Sequence, residues 1–402
     1  MYIQEHRDFI IIRSEDTLSS LLNDYMRENN LKVYTISEHL NIPRKKLSEF
    51  LNGTNDLEII DAIKIMHLLN ISEEDFVVLC AKKESNQEII EIEKAKKLSF
   101  IFENFDIAAL RSIGIIKPRL KFSQIEDRLC NYFGLNSIYE YNNPLDFPTL
   151  FSKSKIKVAE EKERKMITFW IKSMIYSFKC YDNSNPFDLN LLHEFLKRIK
   201  TFTKDPQKGF HTVVLVLYSL GISVITQSYL KNTRAFGCTI IIDDKPCIII
   251  TDQGKTYHKL WLTLLHELYH VINDWDYLQR KKIHITDNEN PDLFVDEVAA
   301  DQFARDILVS PSSMQLIRKN ISYPFKMNEI SKKIEVEISI AYGVYLESLN
   351  RESQHIEYPL YSKYLKDSSV AINNIKLDYI NCDSIKSAIE KMKEELLNKK
   401  TA

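Results

Sequence analysis

The chain predicts an α+β protein: a helical N-terminal domain, a helical connector, and a C-terminal domain with a small sheet. Three observations carry this. Glycine is scarce, at 8 of 402 residues, while Ile, Leu, Lys and Asn are plentiful, so helix should dominate. Apolar residues recur at helical spacing, as in Ile167, Trp170, Ile171, Met174 and Ile175. Strand-like runs gather in one place, at Ile222–Thr226, Gly237–Ile242 and Cys247–Thr251.

In order, residues 15–83 read as short helices with caps and turns every ten to fifteen residues. Residues 84–205 form a charged helical connector with amphipathic faces and no evident chemistry. Residues 206–350 begin with a helix stopped at Gly221, and the turn Asp243-Asp244-Lys245-Pro246 joins the last two strands as a hairpin. Two helices carrying polar motifs follow. Residues 351–402 form a C-terminal extension in which Asn374–Ala402 reads as a helix fraying into a lysine-rich tail.

Composition limits the function. Hydrophobic residues make up 44% and charged residues 27%, the balance of a water-soluble domain. A formal charge of −2 means that any nucleic-acid contact must come from a local basic patch. The six cysteines are scattered without a CxxC pair, which disfavours a disulfide framework or a cysteine metal site. The N-terminus MYIQEHRDF carries charges where a leader needs an apolar core. The longest apolar stretch, Val213–Ile225, is too short for a bilayer and is broken by Ser219, Gly221 and Ser223. A cytoplasmic protein without a membrane partner is expected.

The sharpest signal is HELYH at His266–His270. Histidines four residues apart leave one face of a helix one turn apart, as two ligands of one tetrahedral zinc must. Glu267 beside the first can act as general base on water. With 10 histidines in the chain, roughly 0.02 such matches arise by chance. Trp261, Leu265, Leu268 and Ile272 form an apolar stripe roughly opposite the histidines. The segment Asp296–Leu308 reads as a second helix, with Glu297 and Asp301 one turn apart. Glu297 is the candidate third ligand, and Asp301 the candidate acceptor for the free ring N–H of a ligating histidine. Ala299, Ala300 and Ala304 let this helix approach the first. Two histidines, a carboxylate and an open position make a catalytic rather than a structural zinc site. Tyr257 and His258 are candidates to stabilise an oxyanion, and the strand Cys247–Thr251 to pair edgewise with a peptide.

A second motif lies at Leu31–Leu51, with the shape of a helix-turn-helix. Ile36, Leu40, Ile42, Leu47 and Phe50 supply its packing, and the second helix begins at Pro43. Its start carries Arg44, Lys45 and Lys46, with Ser48 and Asn52 further on. Donors at the N-terminal end of such a helix suit base edges and phosphates in a major groove. The alternative is a solvated basic face used for protein contacts or dimerisation.

Together these features resemble a known combination. The N-terminal region, including NGTNDLEIIDAIKIMHLLNIS, looks like an Xre-type helix-turn-helix. LTLLHELYHVIND and EVAADQFARDILVSP resemble the ImmA/IrrE metallopeptidases, and the whole, with FDIAALRSIGII and FGLNSIYEY between, is similar to long HigA-like antitoxins. The resemblance covers most of residues 15–350. It implies a zincin-like C-terminal domain, zinc held by His266, His270 and Glu297, Glu267 as the catalytic residue, and DNA binding. In some members it implies cleavage of a repressor. Tyr269 stands where the family usually has Gly, beside the ligand face, and Asp301 where it often has Asn.

The expectation is therefore a transcriptional regulator of antitoxin type, a homodimer on a DNA operator, with a zinc endopeptidase domain acting on a repressor or partner protein. The alternatives are a non-catalytic regulator that uses the metal pocket for sensing or toxin binding, and a dedicated protease that uses its helical domain to find a DNA-bound repressor.

Overall fold

The computed structural model describes residues 16–81, 86–142, 161–228, 230, 236–281, 283–286, 296–372, 375–379 and 381–398. The charged N-terminus and the lysine-rich end at 399–402 lie outside them. Contacts divide the chain into two compact units, Met1–Ser99 and Phe100–Ala402. Among the described residues, no helix is long and apolar enough to cross a membrane.

The first unit holds α1 (Leu18–Glu28), α2 (Val33–Leu40), α3 (Arg44–Leu51), α4 (Ile59–Leu68) and α5 (Glu73–Ala81). A reciprocal pair of hydrogen bonds between Thr17 and Ser20 starts α1. One device ends three of these helices. Asn30, Asn41 and Asn70 take left-handed backbone at φ of 51°, 51° and 54°, a conformation Asn tolerates better than other L-residues. The amide of the next, apolar residue then returns to the helix: Leu31 N–H to Met26 O, Ile42 N–H to Ser37 O, and Ile71 N–H to Met66 O. Ile42 and Ile71 thereby enter the core with Leu22, Ile36, Leu47 and Ile65. The helix expected from Pro43 starts one residue later, with Pro43 as its extended cap.

The division between units falls inside α6 (Asn86–Asn104). The second unit continues with α7 (Ile107–Ser112), α8 (Phe122–Phe133), α9 (Glu161–Tyr181), α10 (Leu189–Leu196) and α11 (Gly209–Ser219). Then come β1 (Ser223–Gln227), β2 (Gly237–Ile242), β3 (Lys245–Thr251), α12 (Tyr257–Asn273), α13 (Trp275–Lys281) and β4 (Ile283–Thr286). It closes with α14 (Glu297–Leu308), α15 (Pro311–Asn320), α16 (Pro324–Ile334), α17 (Ile338–Glu347), α18 (Arg351–Tyr361), α19 (Ser369–Ile372), β5 (Lys376–Leu377) and α20 (Ile385–Asn398). The architecture is mostly helical around a small mixed sheet, an α+β arrangement.

The sheet order is β4-β2-β3-β1-β5. β1 runs parallel to β3 and β5, and β2 antiparallel to β3 and β4. Asp243 and Asp244 both have positive φ, so the β2–β3 turn is a tight two-residue one, whose twist matches that of the strands. Lys245 and Pro246, expected in the turn, therefore belong to β3 and pair with Ile242 and Ile241. Gly221, at φ +79°, ends the helical segment before β1. A Cβ there would lie 2.5 Å from the backbone of Pro186 and Phe187, so only glycine fits.

One hydrophobic core spans the second unit. It joins Met166, Phe169 and Trp170 of α9, Ile248 and Ile249 of β3, Trp261 and Leu265 of α12, and Ile389 and Met392 of α20. The C-terminal segment is thus structural. β5 extends the sheet beside β1, α20 buries one face against α9, and Lys393 Nζ donates to the Tyr181 carbonyl at 2.6 Å.

Candidate metal centre

α12 packs on β2, β3, α14 and α17. Trp261, Leu265 and Leu268 are fully buried on one side, with Ile272 partly buried, which leaves His266 and His270 directed toward α14. Asp296 caps α14 by accepting from the Ala299 amide, and Ala300 and Ala304 are buried in the contact with α12. Small side chains there allow the close approach that brings Glu297 to the histidines.

The geometry converges on one point. His266 Nε2 lies 3.1 Å from His270 Nε2 and 3.0 Å from Glu297 Oε2, which is 3.8 Å from His270 Nε2. Two donors about 2.0–2.1 Å from one tetrahedral ion stand about 3.3 Å apart, so these separations suit ligands of a single ion. The far side of each ring is also set. His266 Nδ1 lies 2.8 Å from Asp301 Oδ1, and His270 Nδ1 lies 2.7 Å from Asp274 Oδ2. Ionised carboxylates only accept, so both Nδ1 atoms carry the proton and donate. With Nδ1 carrying the only ring proton, both Nε2 atoms would turn lone pairs toward each other and toward a carboxylate, and a metal ion between them would take the place of a second ring proton.

The electrostatics agree. Burial alone would lower the pKa of His266, but hydrogen bonds with Asp301 and Glu297 and the charge of Glu267 raise it to about 10. A site that favours positive charge this strongly suits a metal ion. His266, His270 and Glu297 can therefore hold one.

Glu267 is fully buried, and β2 positions it. Thr239 Oγ1 donates to Glu267 Oε2 at 2.6 Å. Gly237, two residues earlier, leaves room for the other carboxylate oxygen: a Cβ there would come 2.3 Å from Oε1. Sequence reasoning missed Asp274, Thr239 and Gly237. Asp274 carried a usable signal, four residues beyond His270 on the same helix face. The other two carried none, because only strand register places them against Glu267.

Two expectations are corrected. Cys247–Thr251 has no free edge, since β3 pairs with β2 on one side and β1 on the other. On the β2 side the sheet ends at β4. Tyr257 and His258 stand in the first turn of α12, and eight residues of helix put His258 roughly 12 Å from His266 along the axis. The Tyr257 hydroxyl donates to the Thr203 carbonyl at 3.0 Å, and buried His258 lies 3.5 Å from Glu347. Neither can serve an oxyanion at the metal group. The Tyr269 ring packs edge-on against His270 and Phe303, at 5.7 and 5.5 Å between centroids, and so joins the wall between α12 and α14.

In the first unit, Arg44, Lys45 and Asn52 are exposed and Ser48 is half-buried on α3. Lys45 reaches toward Glu49 at 3.9 Å. Lys46 turns away to α4, 3.0 Å from both Glu58 and Asp61.

No protein-family model matches the chain, and no curated protein and no solved structure matches it.

Proposed function

We propose that this chain is a DNA-binding regulator of antitoxin type whose second unit is a zinc-dependent endopeptidase acting on a repressor or partner protein. The observation that carries the reading is the convergence of His266 Nε2, His270 Nε2 and Glu297 Oε2, with each imidazole oriented by its own carboxylate. Three protein ligands with an open fourth position are the hallmark of catalytic zinc, and the nitrogen-rich set favours zinc over calcium or magnesium. When bound, such an ion polarises a peptide carbonyl and makes water acidic. Asp274 and Asp301 hold the rings in the ligating tautomer. Glu267 takes a proton from the attacking water and returns it to the leaving amine, while Thr239 fixes the orientation of its carboxylate. On the first unit, Arg44, Lys45 and Asn52 are the donors that meet an operator, and Lys46 serves the fold instead.

A second reading has its own support. Thr239 and Gly237 tie the buried Glu267 to β2, a role it would keep in a regulator that only senses metal or binds a toxin. Glu267→Gln separates the two. The amide can still accept from Thr239 but cannot carry the proton, so metal content and DNA binding should persist while cleavage of a co-expressed partner stops. If wild type and variant cleave nothing and give the same operon output, the regulator without catalysis is correct.

A further inference from the structure

We infer that a groove between α14 and α15 binds a small organic anion, a carboxylate or phosphate ester, through Arg305 and Arg318. The inference stands apart from the metal centre and does not rest on catalysis. α14 and α15 meet at the Val309–Ser310 turn. Positions 302, 305, 306 and 309 of one helix segment, and 311, 314, 315 and 318 of the next, are stripes at i, i+3, i+4 and i+7. The two stripes line a cavity of about 390 Å³, with Glu347 and Ser348 at the end of α17, a volume suited to a small ligand. Glu297 lies on another face of α14, about 80° or more around the helix from this stripe.

The charges in the groove are unevenly matched. Among the described residues neither arginine has a carboxylate partner: Arg305 donates to Gln302 Oε1 at 3.1 Å, and Arg318 to Ser348 Oγ at 3.4 Å. Neither acid of the groove is paired with an arginine there. Asp306 accepts from Gln302 Nε2 at 2.7 Å, and Glu347 lies 3.5 Å from both Lys259 Nζ and His258 Nε2. Arg305 and Arg318 formally balance Asp306 and Glu347 in the lining, but Glu347 already faces Lys259 outside the groove, which leaves two guanidinium groups against Asp306, an excess that a single anionic group neutralises. The planar fork of a guanidinium suits the paired oxygens of a carboxylate or phosphate. Val309 and Met314 add an apolar wall, which offers room for a short carbon skeleton attached to the anionic group.

The test is calorimetric titration of the full-length protein with inorganic phosphate and with succinate, at fixed ionic strength set by chloride. At least one should bind with Kd below about 1 mM. Arg305→Gln and Arg318→Gln should each weaken it tenfold or more, and Lys363→Gln, at an exposed position just after α18 that does not line the groove, should leave it unchanged. Both arginines are at least partly exposed, so these variants keep the fold. Binding of phosphate alone identifies the phosphate-ester class, and binding of succinate alone the carboxylate class. A Kd above 1 mM for both, or an Arg305→Gln/Arg318→Gln double variant that binds as wild type does, overturns the inference.

Discussion

The helix pair α2–α3 and the helix pair α12–α14 both display polar side chains, and they do so by different physics. On α3, Arg44, Lys45 and Asn52 stand in solvent and are held by little besides their own helix. On α12 and α14, His266 and His270 are buried, and each ring nitrogen must find a partner in place of water. Those partners come from three sequence positions, Asp274, Glu297 and Asp301, and from the other imidazole. The buried group therefore records in its surroundings the charge it is built to accept, and the exposed group does not. Lys46 shows the boundary between the two: one residue from Lys45, it is captured by Glu58 and Asp61.

This contrast is broken most severely at the ligands. His266→Ala/His270→Ala should abolish metal binding, read as about one zinc per chain in wild type and none in the variant by elemental analysis. Full occupancy in the double variant would remove the centre from consideration.

The supporting carboxylates should give a graded loss. Asp274→Ala and Asp301→Ala should each weaken metal affinity roughly 10–100-fold, measured by competition with a chelator. Asp274 should matter more, because its side chain is 17% exposed against 60% for Asp301 and water replaces it less readily. The reverse order would mean that burial is the wrong guide here.

On α3 the expected effects are smaller. Arg44→Ala should cost about 1–3 kcal/mol of operator affinity if it reads a base. Lys45→Ala should weaken all sequences alike and flatten the salt dependence. Lys46→Ala should leave the salt dependence unchanged, since its charge is already paired. Equal salt slopes for the Lys45 and Lys46 variants would refute that division.

The smallest effect concerns acid. Hydrogen bonds from Lys64 and Lys46 hold the Asp61 carboxyl below its ordinary 3.8, against the opposing effect of burial. A folded value below the unfolded one stabilises the fold above the unfolded value, and the contribution fades as pH falls through the folded one. Amide protection of α4 in the full chain should therefore drop below about pH 4. Asp61→Asn should lower protection at neutral pH and remove this part of the acid response.

Local spacing settled a good part of the molecule without any view of it. A spacing of four positions from His266 to His270, and of four from Glu297 to Asp301, places each pair on one helix face, because a helix turns once every 3.6 residues. Asn41 before Ile42, and the left-handed backbone at Gly221, likewise act within a few residues of themselves, whereas the close approach of Pro186 and Phe187 to Gly221 does not. What required the tertiary structure depends on contacts across long stretches of chain. Strand order made Cys247–Thr251 an interior strand, because β1 and β2 arrive on its two sides from separate parts of the sequence. Register alone put Thr239 and Gly237 against Glu267, 28 and 30 residues away. The same holds for α20, whose Ile389 and Met392 look like one face of a solvated helix until α9 covers them. Helical periodicity determines which side chains share a face, whereas the burial of that face, and the partner each polar atom finds there, is a property of the assembled core.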